Sequence, residues 1–301
     1  MPNANTSRMN TAATLPERLL YETHMHTPLC HHALGMPEEY AAVAWQRNLK
    51  GIIVTCHNPM PRSYASHFRM SLDELNTYED MVTRARELWV GRIDVRLGLE
   101  SEFVPGIESF LEKLHGMKPF KYILGSVHPQ ISEYHEEFFK NDILDYQRLY
   151  FSHLAMAAET GLFDTLSHPD LVKNCYPDCW NLAAVMPDIQ RALDRIAKTG
   201  TAMELNTSGT AKSIREMNPG REILKQVRLR EIPIVIGADA HKPERAGADF
   251  ATALQILSEL EFKHVSLFLE RHQRQDISLD AAIASLKTEV QCQGQNCVSH
   301  E

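Results

Sequence analysis

Seven short apolar runs, separated by segments of helical character, constrain the fold of this chain more than any other feature. They are LLYETHMH (19–26), GIIVTCH (51–57), VRLGLESE (95–102), KYILGSVH (121–128), FDTLSHPD (163–170), TAMELNTS (201–208) and PIVIGADAH (233–241). At or just past their ends stand His24, His26, His57, Glu100, His128, His168, Asp239 and His241; the sixth run ends instead in Asn206 and Ser208. A strand that finishes in a metal-ligand type, followed by a helix and repeated around a closed sheet, brings ligands distant in sequence to one point. The C-terminal face of a β/α barrel is built in this way.

The intervening segments fit that scheme. MPEEYAAVAWQRNL (36–49) has Pro37 in its first turn and apolar residues at roughly helical spacing. SLDELNTYEDMVTRARELW (71–89) reads as a helix with Ser71 and Glu74 as a capping box. Helices are expected at 109–116, over a long stretch at 131–160, and at about 182–198, 221–231 and 251–262, with 264–270 as an eighth, ligand-free strand or an edge. Strand–helix alternation predicts parallel strands with right-handed crossovers. No linker rich in Gly, Pro or Ser divides the chain, so one domain is expected over 18–287, with a flexible lead-in at 1–17 and a polar tail at 288–301.

Composition excludes several classes. No apolar stretch approaches the ~18 residues of a membrane span, and the first residues lack the basic-then-apolar layout of a signal peptide. The expectation is therefore a cytoplasmic protein with no membrane partner, and a homo-oligomer stays open. A net charge of −8 without a Lys/Arg run argues against nucleic acid as a partner. The cysteines are Cys30, Cys56, Cys175, Cys179, Cys292 and Cys297; Cys175 and Cys179 lack the second pair of a zinc knuckle, and free thiols are expected.

His24 and His26, like Asp239 and His241, stand at i and i+2, which face the same way in a strand. His31 or His32, in the loop TPLCHHALG, adds a further imidazole. With one of them the set reaches nine, too many for one ion and suited to two or three divalent ions. Imidazole and carboxylate without thiolate favour Zn, Fe or Mn. Clustered ions of this kind activate water and hold substrate oxygens.

HMHTPLCHHA, TCHNPMP, GLESEF, GSVHP, SHPDL, ELNTSG and GADAHKPE together resemble the PHP (polymerase and histidinol phosphatase) superfamily, in its bacterial histidinol-phosphatase branch, over roughly residues 19–270. The resemblance implies a distorted (β/α)7, TIM-like barrel with three metals. The first would take His24, His26, Glu100 and Asp239; the second Glu100, His128 and His168; the third His32, His57 and His241. The chain departs from the family pattern at Cys56 and Glu22, where Asp is usual, and near Ala211 and Lys212, where an Arg is expected.

The activity implied is metal-dependent hydrolysis of a small phosphomonoester, with L-histidinol phosphate as the candidate substrate. Glu100, His128, His168 and Asp239 are the candidate catalytic residues, and Arg69, Lys212, Arg215 and Lys242 the candidate substrate binders. Asp170 and Glu102 are candidates to position water or relay protons. The alternatives are a phosphodiesterase or nuclease of the same family and an amidohydrolase-like C–N hydrolase, the latter expected to need a lysine at the end of strand four.

Overall fold

The computed structural model describes residues 17–286, and its centre is a parallel seven-stranded sheet whose strands follow sequence order. These are β1 (Tyr21–Glu22), β2 (Gly51–Val54), β3 (Asp94–Glu102), β4 (Tyr122–Ser126), β5 (Thr165–Leu166), β6 (Ala202–Asn206) and β7 (Ile234–Gly237). The sheet curls until its ends meet just past β1 and β7, where Met25 and Ala240 form a single parallel bridge. There His26 N donates to Ala240 O and Ala240 N to His24 O, both at 2.9 Å. The result is the nearly closed, distorted barrel expected.

Helices α1 (Pro37–Gln46), α2 (Leu75–Leu88), α3 (Glu108–His115), α4 (Ser132–Phe138), α5 (Ile143–Glu159), α6 (Leu182–Ile196), α7 (Arg221–Leu229) and α8 (Phe250–Glu259) lie in the connections between strands and after β7. Covered by helices outside and side chains inside, β2 and β7 are buried throughout, which is why parallel strands read as continuous apolar runs. Tyr78 of α2 ties the end of β2 to the middle of β3 with one group: its hydroxyl accepts from Cys56 N (3.1 Å) and lies 2.8 and 2.9 Å from the carbonyls of Val54 and Gly98.

An antiparallel hairpin, β8 (His264–Glu270) with β9 (Gln273–Ser278), plugs the N-terminal mouth, and α9 (Leu279–Leu286) follows it. Leu267 and Phe268 pack with the inward-facing Tyr21, Ile53, Tyr122, Leu124, Ala202 and Val235. Buried Asp164 ties the hairpin turn to the barrel by accepting from His272 N (2.7 Å) and Ile123 N (2.8 Å).

Three elements depart from the sequence expectation. The eighth strand lies outside the barrel in this hairpin, and its partner, five exposed polar residues around the half-buried Ile277, has no apolar alternation to reveal it. The stretch 131–160 is two helices, because Asn141 turns left-handed (φ 63°) and Asp142 caps α5 by accepting from Asp145 N (2.9 Å). The first strand pairs as a ladder only at Tyr21–Glu22; the rest of the run to His26 is held by the bridge at Met25. Residues 1–16 of the lead-in expected at 1–17, and the tail expected from 288, lie outside the described residues. Among those described, no helix is long and apolar enough to cross a membrane.

One buried group far from the strand ends makes stability depend on pH. His153 of α5 is 4% exposed, with Nδ1 2.7 Å from the Tyr134 hydroxyl, and burial pushes its pKa down from 6.5 to about 4. The unfolded chain binds that proton at the ordinary value, so this contribution is full at pH 7 and is lost on acidification, by ~3 kcal/mol at pH 4. In urea unfolding across pH 7 to 4, His153→Gln should lose less stability than the parent chain. Parallel curves for the two proteins would rule the effect out.

Candidate metal centre

The strand ends deliver their side chains to the C-terminal mouth, and Glu100, at 1% exposure, is the hub. Its Oε1 accepts from Ser126 Oγ (2.7 Å) and lies 3.0 Å from His168 Nε2 and 3.5 Å from His128 Nε2. Its Oε2 lies 2.7 Å from His57 Nδ1, 3.4 Å from His24 Nε2 and 3.6 Å from His26 Nε2. Asp239 Oδ1 closes the group from the far side of the seam, 3.2 Å from His26 Nε2 and 3.5 Å from His24 Nε2.

Several of these buried atoms make no hydrogen bond despite their closeness, among them His24 Nε2, His57 Nδ1, Glu100 Oε2 and His241 Nε2. Unsatisfied buried polar atoms are costly, and here they converge on one another. Around one ion with bonds of 2.0–2.2 Å, neighbouring donors sit ~3–3.5 Å apart. The donor set therefore fits bound cations. His24, His26 and Glu100 offer donor atoms within 4.8 Å of one another, as do His24, His168 and Asp239, and His26, His57 and His241. At the outer edge His32 reaches the group, its ring centroid 4.5 Å from that of His241 and 5.5 Å from that of His57.

The protonation states agree. Burial opposes ionisation of Glu100, but His57, His24 and His128 outweigh it and hold the carboxyl well below the ordinary range. Asp239 is held down in the same way, chiefly by His24 and His26. Burial pushes His57 and His168 down, and His241 to about 4, leaving neutral imidazoles with free lone pairs. His24 and His26 go the other way: Glu204, Asp239 and Glu100 outweigh burial and hold His24 well above the ordinary value, and Asp239 and Cys30 raise His26 to about 9; a cation competes with the proton for the same lone pairs.

A supporting layer fixes the rings. Glu102 accepts from His128 Nδ1 (2.5 Å) and His128 N (2.9 Å), which sets the ring so that Nε2 faces Glu100. Glu204, fully buried in β6, lies 2.8 Å from His24 Nδ1 and accepts from His168 N (2.8 Å) and Asn206 Nδ2 (2.9 Å). Glu22 accepts from the backbone of His24 (2.9 Å), Ala238 (3.0 Å) and Gly247 (2.6 Å) and so pins the seam. Gly237 is needed there, since a Cβ would collide with the Glu204 carboxylate and with His24. His168 and Asp239 both adopt left-handed backbone (φ 26° and 49°), an unfavourable choice for such residues that is maintained where surroundings over-determine it.

A cleft of about 460 Å³ opens onto this cluster. His32, His57, His128, His168, Asp239 and His241 form its floor, Phe68, Ile131 and Leu171 an apolar wall, and Gln130, Ser132 and His67 polar positions.

The structure separates the four candidate substrate binders. Lys212 lines the cleft, with Nζ 2.7 Å from Ser208 Oγ and 3.6 Å from Asp239 Oδ2. Arg215 and Lys242 are exposed and do not line it. Arg69 is 2% exposed and turned away, bonded to Glu102 and to Asn58 Oδ1 (3.1 Å). Asp170 is likewise occupied, accepting from Lys173 Nζ (2.8 Å), Gly220 N (2.7 Å) and Asn218, and Glu102 is committed to Arg69 and His128 rather than to water. Sequence reasoning missed Glu204, whose signal was a lone acid inside an otherwise apolar strand, and His67, an exposed loop imidazole with no pattern to distinguish it. Cys30, Cys56, Cys175 and Cys179 are free thiols.

Comparison with known proteins adds independent findings. A family model described as "PHP domain" matches residues 22–208. A probable histidinol-phosphatase of Deinococcus radiodurans is 37% identical over 264 residues, covering 85% of this chain and 98% of the relative. The histidinol-phosphatase of Bacillus subtilis is 24% identical, covering 77% and 97%. In fold, the chain is similar to a histidinol phosphate phosphatase from Lactococcus lactis, solved with Zn, L-histidinol and phosphate (TM-score 0.70, 18% identity, 85% of this chain and 98% of the other).

Proposed function

Since the chain belongs to the PHP domain family and is a metal-dependent phosphatase related to the histidinol-phosphatases, we propose that it hydrolyses L-histidinol phosphate to L-histidinol and phosphate. The observation that carries the reading is the Glu100 carboxylate, whose Oε2 lies among three imidazole nitrogens without bonding to any of them.

In this reading His24, His26, Glu100 and Asp239 hold one divalent ion, Glu100, His128 and His168 a second, and His32, His57 and His241 a third, drawn from Zn, Fe or Mn. When bound, such ions supply an activated water and positive charge for the phosphoryl oxygens. Lys212 adds a point charge at the same face, a weaker grip than a bidentate guanidinium. Glu102 and Glu204 keep the His128 and His24 rings in one tautomer and orientation. Phe68, Ile131 and Leu171 shelter the organic part of a small monoester from water. The substrate's relation to the relatives' names supports histidinol phosphate as the physiological ester.

A C–N hydrolase reading is not favoured. The lysine nearest β4, Lys121, stands at the opposite end of the barrel and pairs with Glu270 of the hairpin at 2.8 Å. The test is hydrolysis of histidinol phosphate and p-nitrophenyl phosphate before and after chelation, with elemental analysis. Chelator-sensitive turnover that prefers histidinol phosphate is expected. Turnover of the generic ester alone would overturn the substrate while leaving the phosphatase in place.

A further inference from the structure

A sulfur stands among the nitrogens at the outer edge of the cluster. Cys30 Sγ and one ring nitrogen each of His32 and His241 lie within 4.8 Å of one another. The short turn Pro28–Cys30 brings this about. His31 follows it in left-handed conformation (φ 65°), which turns the chain back so that His32 Nδ1 lies 2.7 Å from the Cys30 carbonyl. His241 Nδ1 is likewise 3.1 Å from the Asp239 carbonyl. Both rings thus engage the backbone through Nδ1 and leave Nε2 for a ligand, and His241 Nε2 is buried without a partner.

We propose that the outer metal position takes the Cys30 sulfur as a protein ligand beside His32 and His241, making it a mixed nitrogen–sulfur site for a zinc-class ion. The inference rests on the metal-centre reading above and specifies one of its positions. With metal–nitrogen bonds of ~2.0–2.1 Å and metal–sulfur bonds of ~2.3 Å, donors around a tetrahedral ion are ~3.3–3.7 Å apart. A set already within 4.8 Å closes on an ion through side-chain rotation.

Cys30, Cys56 and His26 form another group within 4.8 Å. There His26 Nε2 faces Asp239 and Glu100 and only its buried Nδ1 is left over, while Cys56 Sγ is already engaged, accepting from Thr27 Oγ1 at 3.2 Å and Thr27 N at 3.4 Å. Cys56 is therefore a neighbour of the site and not its ligand. A carboxylate at position 56 would repel the ligating sulfur, whereas a thiol does not. Thiolate ligation biases a position toward zinc, cobalt or iron and away from manganese and magnesium.

Cobalt(II) alone is the probe. Added to chelator-stripped full-length protein, it should give visible ligand-field bands and a near-ultraviolet sulfur-to-cobalt charge-transfer band. Cys30→Ser should abolish that band and lower bound cobalt by one ion per chain, while Cys56→Ser and Cys175→Ser keep both. The zinc-over-manganese preference of that position should fall roughly tenfold or more in Cys30→Ser. Full cobalt binding without the charge-transfer band would overturn the sulfur ligand and leave the phosphatase centre standing. Failure to bind cobalt at all would overturn the metal centre and this inference together. Should Cys30→Ser not fold, the parent spectrum and a sulfur count by X-ray absorption decide the question.

Discussion

Glu100→Gln removes hydrolysis, with kcat/KM for the phosphomonoester falling ~10³-fold or more, equivalent to ~4 kcal/mol of transition-state stabilisation. The substitution conserves shape and deletes the charge. The two carboxylate oxygens of Glu100 face different imidazole groups, Oε2 toward His57, His24 and His26 and Oε1 toward His168 and His128. An amide supplies an acceptor to one side and turns an N–H donor on the other, where lone pairs already point. Bound metal per chain should fall in step with activity. The barrel should still fold, because the apolar layer around β2, β4 and β7 does not involve this residue. A variant with near-normal turnover and a full complement of metal would sink the assignment of Glu100 as the shared ligand.

Arg69→Met costs ~3–5 kcal/mol of stability, because it strands the Glu102 carboxylate, itself fully buried, without its cation. For a chain of this size the thermal midpoint should drop by roughly 10 °C. Burial works against ionisation of Glu102, but His128 and Arg69 together hold its carboxyl below the ordinary range. The double variant Arg69→Met, Glu102→Gln should regain much of the loss, since a neutral pair leaves no buried charge. If Arg69→Met instead keeps full stability and loses only affinity for phosphate, Arg69 acts on substrate and not as the counter-charge beneath His128.

These two residues show where the sequence is legible and where it is not. Glu100 ends a recognisable strand, and the topology of a parallel barrel carries every strand end to one mouth, so the convergence of His24, His57, His128, His168 and Asp239 on it could be read from the order of runs alone. Arg69 lies in a loop, and neither its charge nor its position states which way the side chain points; only the partner, Glu102, sets that direction. Glu204 was hidden for a related reason: it sits two residues before the strand end, where a buried acid is concealed by its apolar neighbours. The 131–160 break was announced by Asn141 and Asp142, a left-handed residue type and a cap, but helical spacing on either side outweighed so short a signal. The β9 strand offered no periodicity because both of its faces are largely wet.

The seam between β1 and β7 has a consequence for how the protein is made. His26 and Asp239, 3.2 Å apart in space, are separated by 213 positions in the chain. During synthesis the imidazoles of the first strand emerge, then the carboxylate and imidazoles of the middle strands, and all wait, competent as individual donors but unable to enclose a cation, until the seventh strand arrives to complete the ring. Any ion captured then acts as a clasp across the one gap the sheet leaves, so scarcity of metal should register first as chains that fray at this seam and are lost to proteolysis, before it registers as slow enzyme.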